Sequence, residues 1–250
     1  MQKKQTVHRG SADGIEKLIG VLQNWKVLLV AMLVGAALGQ LVSMLFPPPY
    51  RARAVMVMDQ NLEAVFPTES DREIFYFLER ETQKLEAIAW SDEVLEPVAE
   101  QVKGYTLQQL RSGSLLLSQP YDGGWNMYGV SSDAETARTL ANAWADSFTD
   151  AVRKGVENAR LLQQAQEELG AIPAADLAQS ARAKELNQLI TRYQSSSMGI
   201  HPEIEVYRSE QKNIKVAPAV IPGAYVFVGA ILGLVVSVLA LAVWRKDDVH

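Results

Sequence analysis

Few side chains in this sequence are equipped for chemistry. Among 250 residues there is no Cys, and the three His are His8, His201 and His250. The missing Cys excludes a disulfide framework, a thiol nucleophile and any Cys-ligated zinc or iron–sulfur site. A Ser-His-Asp triad would have to recruit His201, which lies beside Pro202 with no nucleophile-elbow glycine motif nearby. It reads as a solvated loop histidine. Zinc would need carboxylate ligands. Glu167 and Glu168 are adjacent carboxylates, but neighbours on a helix point about 100° apart, so they do not face each other across a sugar. They read as a solvated helix face. No phosphate-cradling G-x-x-x-x-G-K and no dinucleotide-binding G-x-G-x-x-G occurs. The expectation is a non-enzymatic protein with no metal, no cofactor and no catalytic residue.

The elements around these residues explain the scarcity. Mean hydropathy is -0.03, the value of an ordinary soluble chain, yet the apolar residues are concentrated at the two ends. Val27 to Phe46 is a run of 20 residues with only Gln40 and Ser43 polar. A helix of that length reaches about 30 Å, the thickness of a bilayer core. Ala224 to Trp244 is a second run, with Ser237 its only polar residue. Soluble helices need a polar face and these have none, so both are expected to span a membrane. The first run is too long, and starts too far into the chain, for a cleaved signal peptide. Trp25 and Lys26 at one boundary, Tyr50 past the other, and Trp244, Arg245 and Lys246 after the second run are interfacial residues.

Charge sets the expected orientation. The net charge of -5 and pI near 5.3 argue against a nucleic-acid partner. Residues 1–26 carry five basic and two acidic residues, a net of +3, while residues 47–223 carry 17 basic and 25 acidic, a net of -8. The basic excess before the first span predicts a cytoplasmic N-terminus. Two spans then return the C-terminus to the cytoplasm and leave residues 47–223 outside it. The expected order is a cytoplasmic segment over 1–26, spans over 27–46 and 224–244, and a tail over 245–250 too short for a signalling domain. Ile15, Leu18, Ile19 and Leu22 predict an amphipathic helix on the cytoplasmic face. Each span holds a Gly-xxx-Gly pair, Gly35 with Gly39 and Gly229 with Gly233. Glycines one turn apart let helix backbones approach closely; the pairing is either within one chain or between protomers.

The central region alternates its periods. Tyr50 to Met58 alternates like a strand after the stiff Pro47-Pro48-Pro49 spacer. Ser70 to Ile88, opened by a Ser70–Glu73 capping box, and Ser91 to Lys103, kinked at Pro97, read as helices. Ser114–Gln119 and Trp125–Val130 read as strands joined by a turn containing Asp122-Gly123-Gly124. A Ser132–Glu135 capping box then opens a long helix over 133–169, with Trp144, Phe148, Val152 and Val156 at heptad-like spacing. This spacing predicts an extended arm that packs against other helices, as in an oligomer. Asp176–Gln194 reads as a further helix, Ser195–Gly199 as a connector and Ile204–Val216 as extended. A strand after the first span and one before the second are expected to pair. The fold class is α+β: two transmembrane helices flanking an extracytoplasmic domain with a small mixed sheet and a long helical arm.

Five stretches in order resemble a known family. They are Gly14-Ile15-Glu16-Lys17-Leu18 running to Leu29, Pro47-Pro48-Pro49-Tyr50-Arg51-Ala52, and Ser91-Asp92-Glu93-Val94-Leu95. Then come Val130-Ser131-Ser132-Asp133 continuing to Ala137, Ala141-Asn142 and Phe148, and Ala217-Pro218 with Pro222. From Asp13 to Trp244 the chain resembles the polysaccharide co-polymerases, the Wzz-type chain-length determinant family. It departs from the family pattern in its fewer prolines near Pro222, in Pro97, and in a shorter arm.

The resemblance implies a homo-oligomeric ring in the inner (plasma) membrane. Such a ring would set the length of an O-antigen, capsule or exopolysaccharide made by a separate polysaccharide polymerase. Membrane lipid and the nascent polysaccharide are further implied partners, and Pro218 and Pro222 correspond to the family's proline segment. The alternatives are a transmembrane adaptor of a separate cytoplasmic tyrosine kinase in capsule export, and an extracytoplasmic ligand sensor.

Overall fold

The computed structural model describes residues 24–59, 61–62, 71–120, 124–173, 180–208 and 214–247. The expected amphipathic helix at Ile15–Leu22, the Ser70 cap, the tip of the hairpin turn at Asp122-Gly123 and the end of the C-terminal tail lie outside these residues. The chain divides into two units, residues 49–217 and the two terminal segments.

The terminal segments supply α1 (Trp25–Leu45) and α6 (Pro222–Asp247). Each is long and apolar enough to cross a membrane. Neither is the core helix of a soluble domain. In α1 only Gly35, Gly39 and Ser43 are buried, and its large side chains point outward. Pro222 opens α6 at the first helical position, where the missing N–H costs nothing.

The central unit is built on a five-stranded sheet. Its strands are β1 (Tyr50–Asp59), β2 (Leu115–Leu117), β3 (Gly124–Ser131), β4 (Glu205–Arg208) and β5 (Val216–Pro218). The order is β2-β3-β1-β4, and β5 also pairs with β1, as expected of strands next to the two apolar helices. The sheet is antiparallel rather than mixed. Between β1 and β3, α2 (Asp71–Ala89) and α3 (Asp92–Gln101) return the chain so that β3 runs back along β1 from Tyr50↔Ser131 to Val57↔Gly124. Alternation in β1 holds: Ala52, Ala54, Met56 and Met58 face the core, and the residues between them face outward.

One face of the sheet is covered by α4 (Ala134–Ala171), 38 residues and about 57 Å long. Its cap is Asp133 rather than Ser132: the Asp133 carboxylate accepts from the Thr136 N–H at 2.7 Å and from its hydroxyl at 2.8 Å. These two bonds lower the Asp133 pKa below the usual carboxylate value. Both residues are good N-cap formers, and the sequence pattern could not choose between adjacent ones.

The first half of α4 is core, which corrects the expectation of an exposed arm. Trp144 and Phe148 are completely buried, and Val152 and Val156 nearly so. Their heptad-like spacing marks the stripe that meets the sheet, not a face left for other protomers. Small residues set the separation. A Cβ on Gly129 of β3 would fall on the Ala137 carbonyl and the Ala141 nitrogen of α4. The Trp144 indole N–H donates to the Ala89 carbonyl at 2.8 Å, and its ring lies 4.8 Å from that of Trp90. Trp125 packs 5.9 Å from Phe148, but its indole nitrogen is buried with no acceptor among the described residues. Val94, Leu95 and Val98 of α3 close this side, and Ser147 donates to the Val94 carbonyl at 2.7 Å.

Past Val156, α4 packs against α5 (Ala181–Ser196) as a helical hairpin. Ala159 and Ala165 meet this seam together with Ala183 and Leu186. The turn after α5 places Met198 and Gly199 at positive φ, 54° and 67°, and a Cβ on Gly155 would strike the Ile200 side chain from that turn.

The two buried indoles differ in a measurable way. Trp144→Phe loses a satisfied hydrogen bond and strands the Ala89 carbonyl, at a cost of about 1–3 kcal/mol. Trp125→Phe removes an unsatisfied donor and should cost less; thermal unfolding of the two variants checks the order. For Asp133→Ala the helix cap is lost at neutral pH. Because the folded-state pKa is depressed, that contribution is present above about pH 4 and fades as pH falls through the folded value, so the stability gap to wild type should close in acid.

Candidate functional site

The groups singled out as candidates for chemistry do not assemble into a reactive site. His201 is half-buried, its ring edge-on to Phe77 at a centroid distance of 5.8 Å. Its Nδ1 accepts from the Glu203 backbone N–H at 3.3 Å, which makes it part of a turn. Glu167 is bonded by Gln163 at 2.9 Å and Glu168 pairs with Arg182 at 2.5 Å; both are exposed on α4. His8 and His250 lie outside the described residues. Among the described residues no group of three or more His, Asp or Glu could hold a metal ion.

The four glycines are brought together. α1 and α6 run antiparallel, with Ala31 at Gly233, Gly35 at Gly229 and Gly39 at Tyr225. A Cβ on Gly35 would fall on the Gly229 carbonyl oxygen, and one on Gly229 would fall on that of Gly35. Cβ atoms on Gly39 and Gly233 would meet the Tyr225 and Ala31 carbonyls in the same way. Within the chain the two Gly-xxx-Gly pairs thus face each other across the α1–α6 contact. The Cα hydrogens of the glycines point at opposing carbonyls, a geometry worth about 0.5–1 kcal/mol per contact. In lipid, where burial from water contributes nothing between helices, close packing of this kind is what holds two helices together. Beside the contact runs an apolar groove of about 700 Å³, lined from both helices by Val34, Leu38, Val42, Val228, Leu232 and Val236 among others.

The residues of the proline segment take structural positions: Pro218 is the last, exposed residue of β5 and Pro222 the first of α6. Trp144, Phe148, Val152 and Val156 belong to the core described above.

Three arrangements were not anticipated. Glu81 of α2 is 3% exposed; its Oε1 accepts from Lys84 Nζ at 2.6 Å, while Oε2 is buried with no partner among the described residues. Lys84 also donates to the Gly199 carbonyl at 2.8 Å, tying α2 to the turn after α5. Phe77, Glu81, Leu85 and Ile88 follow one another at helical spacing, so periodicity did carry a signal that Glu81 faces inward. Arg208 of β4 donates to Asn142 and Asp146 of α4; contacts across more than sixty residues leave no local trace. On the open face of the sheet, the Arg51 guanidinium lies 5.2 Å from the Tyr128 ring centroid.

No protein-family model matches the chain, and no curated protein matches it in sequence.

The glycine contact and the Glu81 pair each give a test. Spin labels on Phe46→Cys and Ile221→Cys, both exposed and in a chain free of other Cys, report the separation of α1 and α6. Gly35→Ile should increase that distance by about 2 Å or more, toward an ordinary helix–helix spacing. Gly223→Ala, where a Cβ meets nothing, should leave it unchanged. Lys84→Met should destabilise the domain by about 2 kcal/mol, because it strands a buried carboxylate. Adding Glu81→Gln should recover most of the loss in thermal unfolding.

Proposed function

We propose that this protein is a non-catalytic membrane scaffold that regulates the chain length of a surface polysaccharide, an O-antigen, capsule or exopolysaccharide. It does so by oligomerising around or beside the polymerase. α1 and α6 cross the inner membrane, both termini are cytoplasmic, and the α+β domain stands on the other side. Lipid surrounds the helix pair, and the polymerase and its nascent polysaccharide are the working partners.

One observation carries the reading most directly. β1, reached from α1 through three prolines, is paired with β5, which leads into α6. The chain therefore leaves and re-enters its apolar helices through neighbouring strands of one sheet, and the mass between them is spent on the sheet and a long helical hairpin. That order of elements, α1–strand–helices–hairpin–long helix–strand–α6, is what the resemblance to chain-length determinants implies. With the core stripe of α4 occupied, contacts between copies fall to the outward faces of the α4–α5 hairpin, the edges of the sheet and the lipid-facing sides of α1 and α6.

Removing the gene from its native host should change the length distribution of a surface polysaccharide while sugar incorporation persists. Gel profiles of the extracted polysaccharide read this directly, and an unchanged profile would overturn the proposal. Native mass measurement in nanodiscs should give an assembly of several copies; a clean monomer counts against the ring.

A further inference from the structure

The open face of the sheet is basic at the Tyr50 end of β1, whereas Asp59 and Glu205 lie opposite each other at its far end. Arg51 and Arg53 alternate with the core residues Ala52 and Ala54 on β1, so both stand on the face that α4 does not cover. Neither forms an ion pair among the described residues; Arg51 instead lies against Tyr128, which pairs with Arg53 in the β1–β3 register. Lys215, exposed beside buried Ile214, immediately precedes β5, which pairs with β1, and also has no ion pair among the described residues. None of the three is paired with a carboxylate among the described residues, although the region from residue 47 to 223 carries a net charge of -8.

Chain length bounds how far they can stand from the ends of α1 and α6. Arg51 follows Leu45, the last residue of α1, by six positions, so its Cα lies within about 20 Å of the helix end by any path. Lys215 precedes Pro222, the first residue of α6, by seven positions, a reach of about 24 Å. An arginine side chain adds to that reach, so a lipid headgroup layer around α1 and α6 is within its range. A guanidinium is planar, weakly hydrated and matched to two phosphate oxygens at once. Stacking on Tyr128 keeps that of Arg51 oriented and its edge N–H groups free.

We propose that Arg51, Arg53 and Lys215 form a binding site for the phosphate of an anionic phospholipid headgroup, with Tyr128 supporting Arg51. A zwitterionic headgroup offers the same phosphate but carries its own cation, so the site should discriminate between them. The inference rests on α1 and α6 being membrane spans and is independent of the polysaccharide function.

The test is native mass spectrometry of the full chain in detergent, given equal amounts of phosphatidylglycerol and phosphatidylcholine. The wild type should retain phosphatidylglycerol preferentially. The preference should fall roughly fivefold for each charge removed in Arg51→Gln, Arg53→Gln and Lys215→Gln. Arg51→Lys with Arg53→Lys, which keeps the charges but loses the planar fork, should fall between the wild type and the Gln variants, and Arg192→Gln, an exposed arginine on α5, should keep all of it. Equal retention of the two lipids by the wild type, or an undiminished preference in the triple Gln variant, overturns the proposal. Displacement of the lipid by millimolar inorganic phosphate would assign the site to a free anion and overturn the lipid source. Recovery of the protein outside the membrane fraction would instead remove the spans themselves, an outcome distinct from loss of lipid preference.

Discussion

Direct approach of one backbone to another is the constraint on which both units of this protein depend. Gly35 and Gly229 bring α1 onto α6 until carbonyl oxygens occupy the space a side chain would take. Gly129 does the same for β3 and α4, against Ala137 and Ala141. The driving forces differ. In the central unit the close approach lets Trp144, Phe148 and Met56 bury fully on either side of it, and release of water provides the gain. Between apolar helices in lipid there is no such gain, and packing with Cα–H···O contacts is all that remains.

The same economy governs the polar groups. Arg208 is held by Asn142 and Asp146, Trp144 by Ala89, and Ser147 by Val94, so the α4 face is pinned to its neighbours by directional bonds as well as packing. Two buried atoms stand outside this pattern, Glu81 Oε2 and the Trp125 indole nitrogen. The first lies where α2 meets the turn after α5, a junction fastened by the second bond of Lys84.

Much of this was legible from residue order. The two apolar helices, the alternation of β1 and the extent of α4 follow from period and length, which are local properties. What periodicity cannot supply is the identity of the covering surface. Trp144, Phe148, Val152 and Val156 mark a buried stripe equally well whether a sheet or another helix lies on it, and the sheet does. Likewise Gly-xxx-Gly announces a close contact without naming its partner. Strand direction was missed for a similar reason, since it depends on where α2 and α3 return the chain. Of the candidate sites, the glycines were legible as residues and the Arg51–Tyr128 pairing was not, because register joins them across 77 positions.

The unbroken run of α4 has a mechanical consequence. Its first half is clamped between the sheet and α3, and its last 16 residues, from Val156 to Ala171, project about 22 Å beyond the clamp. A rigid rod held at one end is a lever. A tilt of a few degrees at Trp144 becomes a displacement of an ångström or two at the hairpin tip, and a load applied to the tip returns to β1 and β3 through the small residues at Gly129.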